Sequence, residues 1–370
     1  MSNSKLLFSA LLLWGILLLP QPSLAQKERE FEKELKEANL NVYQDAEKAV
    51  QLSTAIYKNA KQADTKIAAL ITLVNGYNAL NQNGKALKYA TKTLELAEKS
   101  KNEQHQVWAL GLLGEQYQQS HLNGISREYL DRAETLLQKA DLSTEAIAVS
   151  RGNIFAIKGN GYKDEIDCGY AIKNYDLAID SYKTIPEDSA ARNNLALVFL
   201  EKGTCLLELG NLNLAEKNFH LALDIAQTNK LEEYIQKANL GLAKIDAAQC
   251  EYQVSNATAL KLLDRIDGAL SPKLKNDLYS LLSTNYLYLG NLEEFVHYNN
   301  KFKTSSQHIH ELEKNQFQQV LQFVESQPGK SQKQNIPLSI LFYCLLAFTI
   351  FLMISEIYLL IKAQKKAISV

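Results

Sequence analysis

Apolar residues recur through most of the chain at three- and four-residue spacings, the period of a helix with one face packed, and no stretch sustains the alternation of a strand. The clearest unit runs from Phe199 to Ala226. There Phe199, Gly203, Leu206, Ala215, Phe219, Ala222 and Leu223 mark two amphipathic helices, with a break at Gly210-Asn211 between them. Following the small residue of the second helix along the chain gives Ala49, Ala86, Ser126, Ala171, Ala215, Ala259 and, as a large exception, Phe295, at intervals of about 36 to 45 residues. Packing residues follow four and seven positions later, as in Ala90 and Thr93, Leu130 and Ala133, or Phe219 and Ala222. The pattern predicts an all-α solenoid of about seven helix pairs over residues 28 to 304, in which no pair buries its faces alone. Residues 305–327 carry Ile309, Leu312, Phe317, Val320 and Val324 near one stripe and predict a further helix that caps the solenoid or pairs with a second copy.

The two ends depart from this pattern. Lys5, the apolar run Leu6 to Leu19 and the small-residue exit Ser23-Leu24-Ala25 predict a secretory signal over 1–25. Leu338 to Ile361 is apolar apart from Glu356, long enough for a helix to cross a hydrocarbon layer of about 30 Å. A polar linker over 328–337 precedes it and a lysine-containing tail, 362–370, follows. Together these predict a single-pass protein with the repeats outside the cytoplasm and the tail inside, the signal segment setting the orientation; the setting is read as a bacterial inner membrane and periplasm, with a eukaryotic secretory setting as the alternative.

On its helix-pair spacing and its Leu-Gly-x-x-Tyr segments the chain resembles the tetratricopeptide repeat superfamily. The segment is intact as Leu113-Gly114-Glu115-Gln116-Tyr117 and partial as Leu73 to Tyr77 and Leu282 to Tyr286. The resemblance implies a right-handed superhelix whose concave groove is lined by the first helix of each pair. Projected onto this sequence, the groove takes Asn75 and Asn78, then Trp108 and Glu115, then Asn153 and Thr204. Lys244 and Tyr252 follow, then Thr284 and Tyr288. Such a groove is mixed polar and aromatic, suited to an extended protein or peptide segment, and lacks the lysine–arginine cluster that the family uses to hold a carboxylate. Most units exceed the family's period of about 34 residues. The segment Lys158 to Cys168, with Gly159 and Gly161, is expected as a surface insertion, with a partner-contacting loop as the alternative.

Composition excludes more than it assigns. Apolar residues make up 46% and charged residues 22%, the balance of a folded chain. With 40 basic against 41 acidic residues no overall field draws nucleic acid. No nucleophile elbow, phosphate loop or dinucleotide fingerprint occurs, so neither catalysis nor a cofactor is expected. His308 and His310 stand two apart and point apart on a helix, so no metal site is expected. Cys168, Cys205, Cys250 and Cys344 have no metal spacing. Cys205 and Cys250 fall at nearly equivalent places on neighbouring first helices, so buried free thiols are expected, with a Cys205–Cys250 bridge as the alternative. Asn256-Ala257-Thr258 is a lone glycosylation triplet.

Two functional readings follow. One is a membrane-anchored scaffold that binds a protein or peptide in its groove. The other is a sensor, because the order of segments also resembles the sensory half of tetratricopeptide signalling proteins of Bacteroidota type. The sequence ends nine residues past Ile361, so a sensor is expected to act through a separate partner.

Overall fold

The structure is a computed structural model that describes residues 24–42, 45–186, 190–264 and 271–327. The expected signal segment before Leu24 and the linker, spanning helix and tail after Gln327 lie outside the described residues. Among the described residues no helix is long and apolar enough to cross a membrane. The chain divides into two compact units, Met1–Val320 and Leu321–Val370. Of the second, only 321–327 are described, the last turn of a helix.

The described residues form fourteen α-helices in seven pairs: α1 (Leu24–Asn41) with α2 (Ala46–Asn59), α3 (Ala63–Ala79) with α4 (Asn83–Ser100), and α5 (Glu103–Gln119) with α6 (Asn123–Leu137). Then come α7 (Thr144–Glu165) with α8 (Cys168–Lys183) and α9 (Asn194–Glu208) with α10 (Leu212–Thr228). The last pairs are α11 (Glu232–Ala248) with α12 (Tyr252–Asp264) and α13 (Pro272–Tyr288) with α14 (Leu292–Glu325). Successive helices from α1 through α13 pack on one another, and the first helices α1 with α3, α5 with α7, α7 with α9, α9 with α11 and α11 with α13 also touch. The fold is a tetratricopeptide-type solenoid.

Local chemistry sets the helix limits. Asp45, Asn102, Ser143, Asp167 and Ser271 each accept a backbone N–H three residues on, satisfying one of the open donors at a helix start. Inside five pairs the turn is the same. Asn81, His121, Gly210, Cys250 and Gly290 have positive φ. The N–H of each bonds the carbonyl three residues back, and the next N–H reaches five back, as in Asn211 to Leu206 at 2.8 Å and Glu251 to Asp246 at 2.8 Å. That double bond is the Schellman ending, which needs a left-handed residue and favours glycine or asparagine.

With the turn residue as origin, the repeat register becomes exact at 40 residues between Asn81 and His121 and again from Gly210 through Cys250 to Gly290. The small position five residues on is then Ala86, Ser126, Ala215, Ser255 and Phe295. Ser255, fully buried, therefore replaces the expected Ala259, which lies one helical turn later. The two serines use their hydroxyls alike: Ser126 Oγ donates to Gly114 O and Ser255 Oγ to Ala243 O, both at 2.7 Å. They tie the second helix to the backbone of the first.

Size is traded across each pair. A Cβ on Gly114 would lie 2.6 Å from the Leu130 side chain, one on Gly159 2.5 Å from the Tyr175 ring, and one on Gly203 2.9 Å from the Phe219 ring. Where the first helix carries Val74 or Ala243 instead, the facing residue shrinks to Ala90 or Ala259, all of them buried. Tyrosines stack across three pairs, Tyr77 on Tyr89, Tyr117 on Tyr129 and Tyr286 on Tyr298, with centroids 5.3, 5.4 and 5.6 Å apart.

Three expectations change. Residues 158–165 are helix rather than loop: α7 runs for 22 residues, and its glycines admit Tyr182 at Gly152 and Tyr175 at Gly159. The extension is pinned by Gln118 to Asp164 at 3.1 Å and by Arg127 to Glu165. Residues 305–325 are not a separate element, because α14 runs unbroken for 34 residues from Leu292. The disulfide joins Cys168, at the start of α8, to Cys205 in α9, and Cys250 is an exposed free thiol in a turn. Cys250 is thus a turn residue where Cys205 is a core residue, so the two are not equivalent.

Candidate functional site

Two adjoining hollows lie along the first helices of the last four pairs. The larger, about 460 Å³, is walled by α11 and α13, with Cys250 and Tyr252 closing one end. The other, about 370 Å³, is lined from α7, α9, α11 and the start of α13, and Phe219 is its one lining residue from a second helix. Lys244 and Asp277 border both, and their side chains pair at 3.3 Å, bridging neighbouring repeats. Two further hollows, about 520 and 430 Å³, involve the second helices α6 and α8 and the second helices α4 and α6.

The larger hollow gathers four of the ten projected groove residues, Lys244, Tyr252, Thr284 and Tyr288. Thr204 joins Lys244 in the second hollow. Tyr252, however, opens the second helix α12. It reaches the groove end because its ring stacks on Tyr288, centroids 5.0 Å apart and nearly parallel, which leaves Tyr288 67% exposed. The pair makes a flat apolar wall beside the hydroxyls of Ser280 and Thr284.

The remaining five lie on earlier first helices and line neither hollow. Asn75 and Asn78 are half-buried on α3, and Asn78 Oδ1 is buried without a hydrogen bond. Trp108, on α5, is 36% exposed, with the His105 ring 5.6 Å away; burial lowers the His105 pKa and keeps that ring neutral at pH 7. Glu115 keeps some exposed surface yet sits deep, and desolvation raises its carboxyl pKa. Its Oε1 accepts a hydrogen bond from Gln119 Nε2 at 3.2 Å. Asn153 is engaged internally: its Oδ1 accepts from the Tyr182 hydroxyl and from Asn194 Nδ2, the latter at 3.1 Å. It positions Tyr182 and Asn194.

The structure adds two features that sequence spacing did not show. Lys163, Lys237, Lys244 and Lys273 converge on the second hollow from α7, α11 and α13, which corrects the expectation of a groove without clustered lysines. Three are offset by carboxylates, Lys163 by Glu201 at 2.6 Å, Lys237 by Glu233 at 2.6 Å and Lys244 by Asp277, so the site is not an open carboxylate clamp. Asn285, fully buried at the edge of the larger hollow, donates to Ser255 Oγ and Asn256 Oδ1 at 2.8 and 2.9 Å, while its own Oδ1 has no donor. The same bond engages Asn256, 6% exposed, so the glycosylation triplet is closed to modification in the folded chain. Among the described residues no group of three or more His, Cys, Asp or Glu could hold a metal.

No family model matches the chain, and no curated protein matches its sequence. Solved structures do match its fold. A Rap protein complexed with competence and sporulation factor superposes with TM-score 0.56 at 12% identity, covering 76% of each chain. NprR in complex with its cognate peptide NprX gives 0.53 at 13%, covering 95% of each chain. The apo form of RapI gives 0.53 at 14%, covering 76% of this chain and 99% of its own. At these identities the likeness is one of fold alone, a solenoid of paired helices.

Proposed function

We propose that this protein is a membrane-anchored scaffold, placed outside the cytoplasm, that holds an extended segment of another protein or peptide along α7, α9, α11 and α13. The observation that carries the reading is the pair of adjoining hollows on one row of first helices, bordered by a shared ion pair. A continuous trough with alternating hydroxyl, amide, ionic and aromatic walls fits an extended backbone with varied side chains better than a compact metabolite. Two proteins of like fold are named together with a cognate peptide or a factor they bind, which supports a peptide as the guest class. The signal-like start, the apolar segment 338–361 and the Cys168–Cys205 disulfide support export and anchoring, since such bonds persist in oxidising compartments.

The test is selection of peptides from a random library on the full-length chain, then titration of the recovered peptides against variants. Thr204→Arg and Thr284→Arg should each weaken binding by about tenfold or more, since a bulky charge fills the trough, while Lys217→Glu on the exposed side of α10 should leave it unchanged. Equal binding by all three variants would refute the groove as the site.

A further inference from the structure

Helix α14 continues past the length of a second helix. Its counterpart α10 ends after 17 residues, whereas α14 runs for 34, about 51 Å at 1.5 Å per residue. Its first half behaves as a second helix should, with Tyr298 stacked on Tyr286 and Ser306 Oγ bonded to Asn276 Oδ1 at 2.9 Å. The second half reaches the turn between α3 and α4, five pairs earlier. There Gln316 Nε2 donates to Asn81 Oδ1 at 2.8 Å across 235 residues of sequence, and Val320 is 1% exposed. A Cβ on Gly84 would lie 2.7 Å from the Gln319 carbonyl oxygen, and the three nearest atoms all belong to Gln319. Helix backbone meets helix backbone, a contact only glycine permits.

The third pair provides an internal comparison. Asn123-Gly124 occupies the place of Asn83-Gly84 forty residues on, yet a Cβ on Gly124 would meet nothing within 4 Å. The turn recurs, and the seat is used once.

We infer that α14 is a strut whose residues 316–320 seat on the α3–α4 turn, fixing the separation of the second and seventh pairs and thereby the width of the groove between them. Solenoids change curvature through small rotations shared among repeats, and a rigid helix joining two distant repeats removes that freedom. A guest that needs a wider groove must unseat the strut, and a guest that fits the closed groove strengthens it. The seat is small beside the cores on either side, so it is the segment that releases first. The inference stands whether or not the groove takes a peptide.

Amide hydrogen exchange on the full-length chain tests it. Gly84→Leu drives a side chain into Gln319 and should accelerate exchange over 312–320 at least tenfold, leaving 294–304 unchanged, while Gly124→Leu matches the unmodified chain. Val320→Asp attacks the seat from the strut side without touching α3 or α4, and should give the same acceleration; it decides the matter if Gly84→Leu disturbs the second pair itself. Exchange over 312–320 left unchanged by Val320→Asp, or accelerated equally by Gly124→Leu, would overturn the strut.

Discussion

Glu28 shows how much one side chain contributes at an edge of the solenoid. Helix α3 begins without a side-chain cap of its own. The carboxylate of Glu28, from α1, accepts the Lys61 and Gln62 N–H groups at 3.1 and 3.4 Å and the Thr65 hydroxyl at 2.7 Å. The Thr65 bond, aided by the two backbone bonds, holds its pKa below the usual 4.5 against the opposing effect of burial. A depressed carboxylate adds stability that is present above its unfolded pKa and lost as pH falls through the folded one. Docking of α1 should therefore weaken below about pH 4.5, and Glu28→Gln should cost about 1 kcal/mol at neutral pH. Acid titration followed by exchange in α1 checks both, and a variant as acid-sensitive as the unmodified chain would refute this role. Nothing in the sequence marks Glu28, because its partners lie 33 to 37 residues away. Trp108, Thr204, Lys244, Thr284 and Tyr288, by contrast, could be placed on first helices from periodicity and the family resemblance. Tyr252 was displaced into a second helix, because Cys250 hides a left-handed turn that glycine marks at 210 and 290.

At the scale of helix pairs, complementary volume is the rule. Gly114 faces Leu130 in the third pair where Val74 faces Ala90 in the second. Gly114→Val alone should cost about 3 kcal/mol through overpacking, and adding Leu130→Ala, which reproduces the second pair, should restore most of it. Chemical denaturation of the single and double variants measures this, and equal loss in both would contradict the pairing. This trade was present in the sequence but unreadable until the turn residues fixed the register. The same holds for α7: Gly159 and Gly161 suggested a loop because glycine usually breaks helices, whereas Gly159 is there to admit Tyr175.

Across the whole molecule, contacts among the described residues run between neighbouring pairs except at the strut, and one neighbour contact is made covalent by the Cys168–Cys205 bond. The disulfide spans 37 residues and joins the fourth pair to the fifth beside the second hollow. Closing a loop of that length is worth up to about 4 kcal/mol by chain entropy. Reduction should therefore lower the melting temperature and loosen α8 and α9 first, while Cys250, the free thiol among the described residues, reacts with a thiol probe before reduction. A chain equally stable reduced and oxidised would show that the bond constrains little. The number of pairs and their approximate limits were legible in the apolar period; the bond and the strut were not, since the first depends on the register of two neighbouring helices and the second on how the coil brings distant turns together.

The account rests on the trough as the place where a partner lies, and site-specific photocrosslinking on the full-length chain in membranes tests that directly. A benzophenone side chain at Thr204 or Thr284 should capture the same partner, and one at exposed Lys217 on α10 should capture none of it. Capture of that partner from Lys217 but from neither threonine would place the binding surface on the second helices and contradict the account.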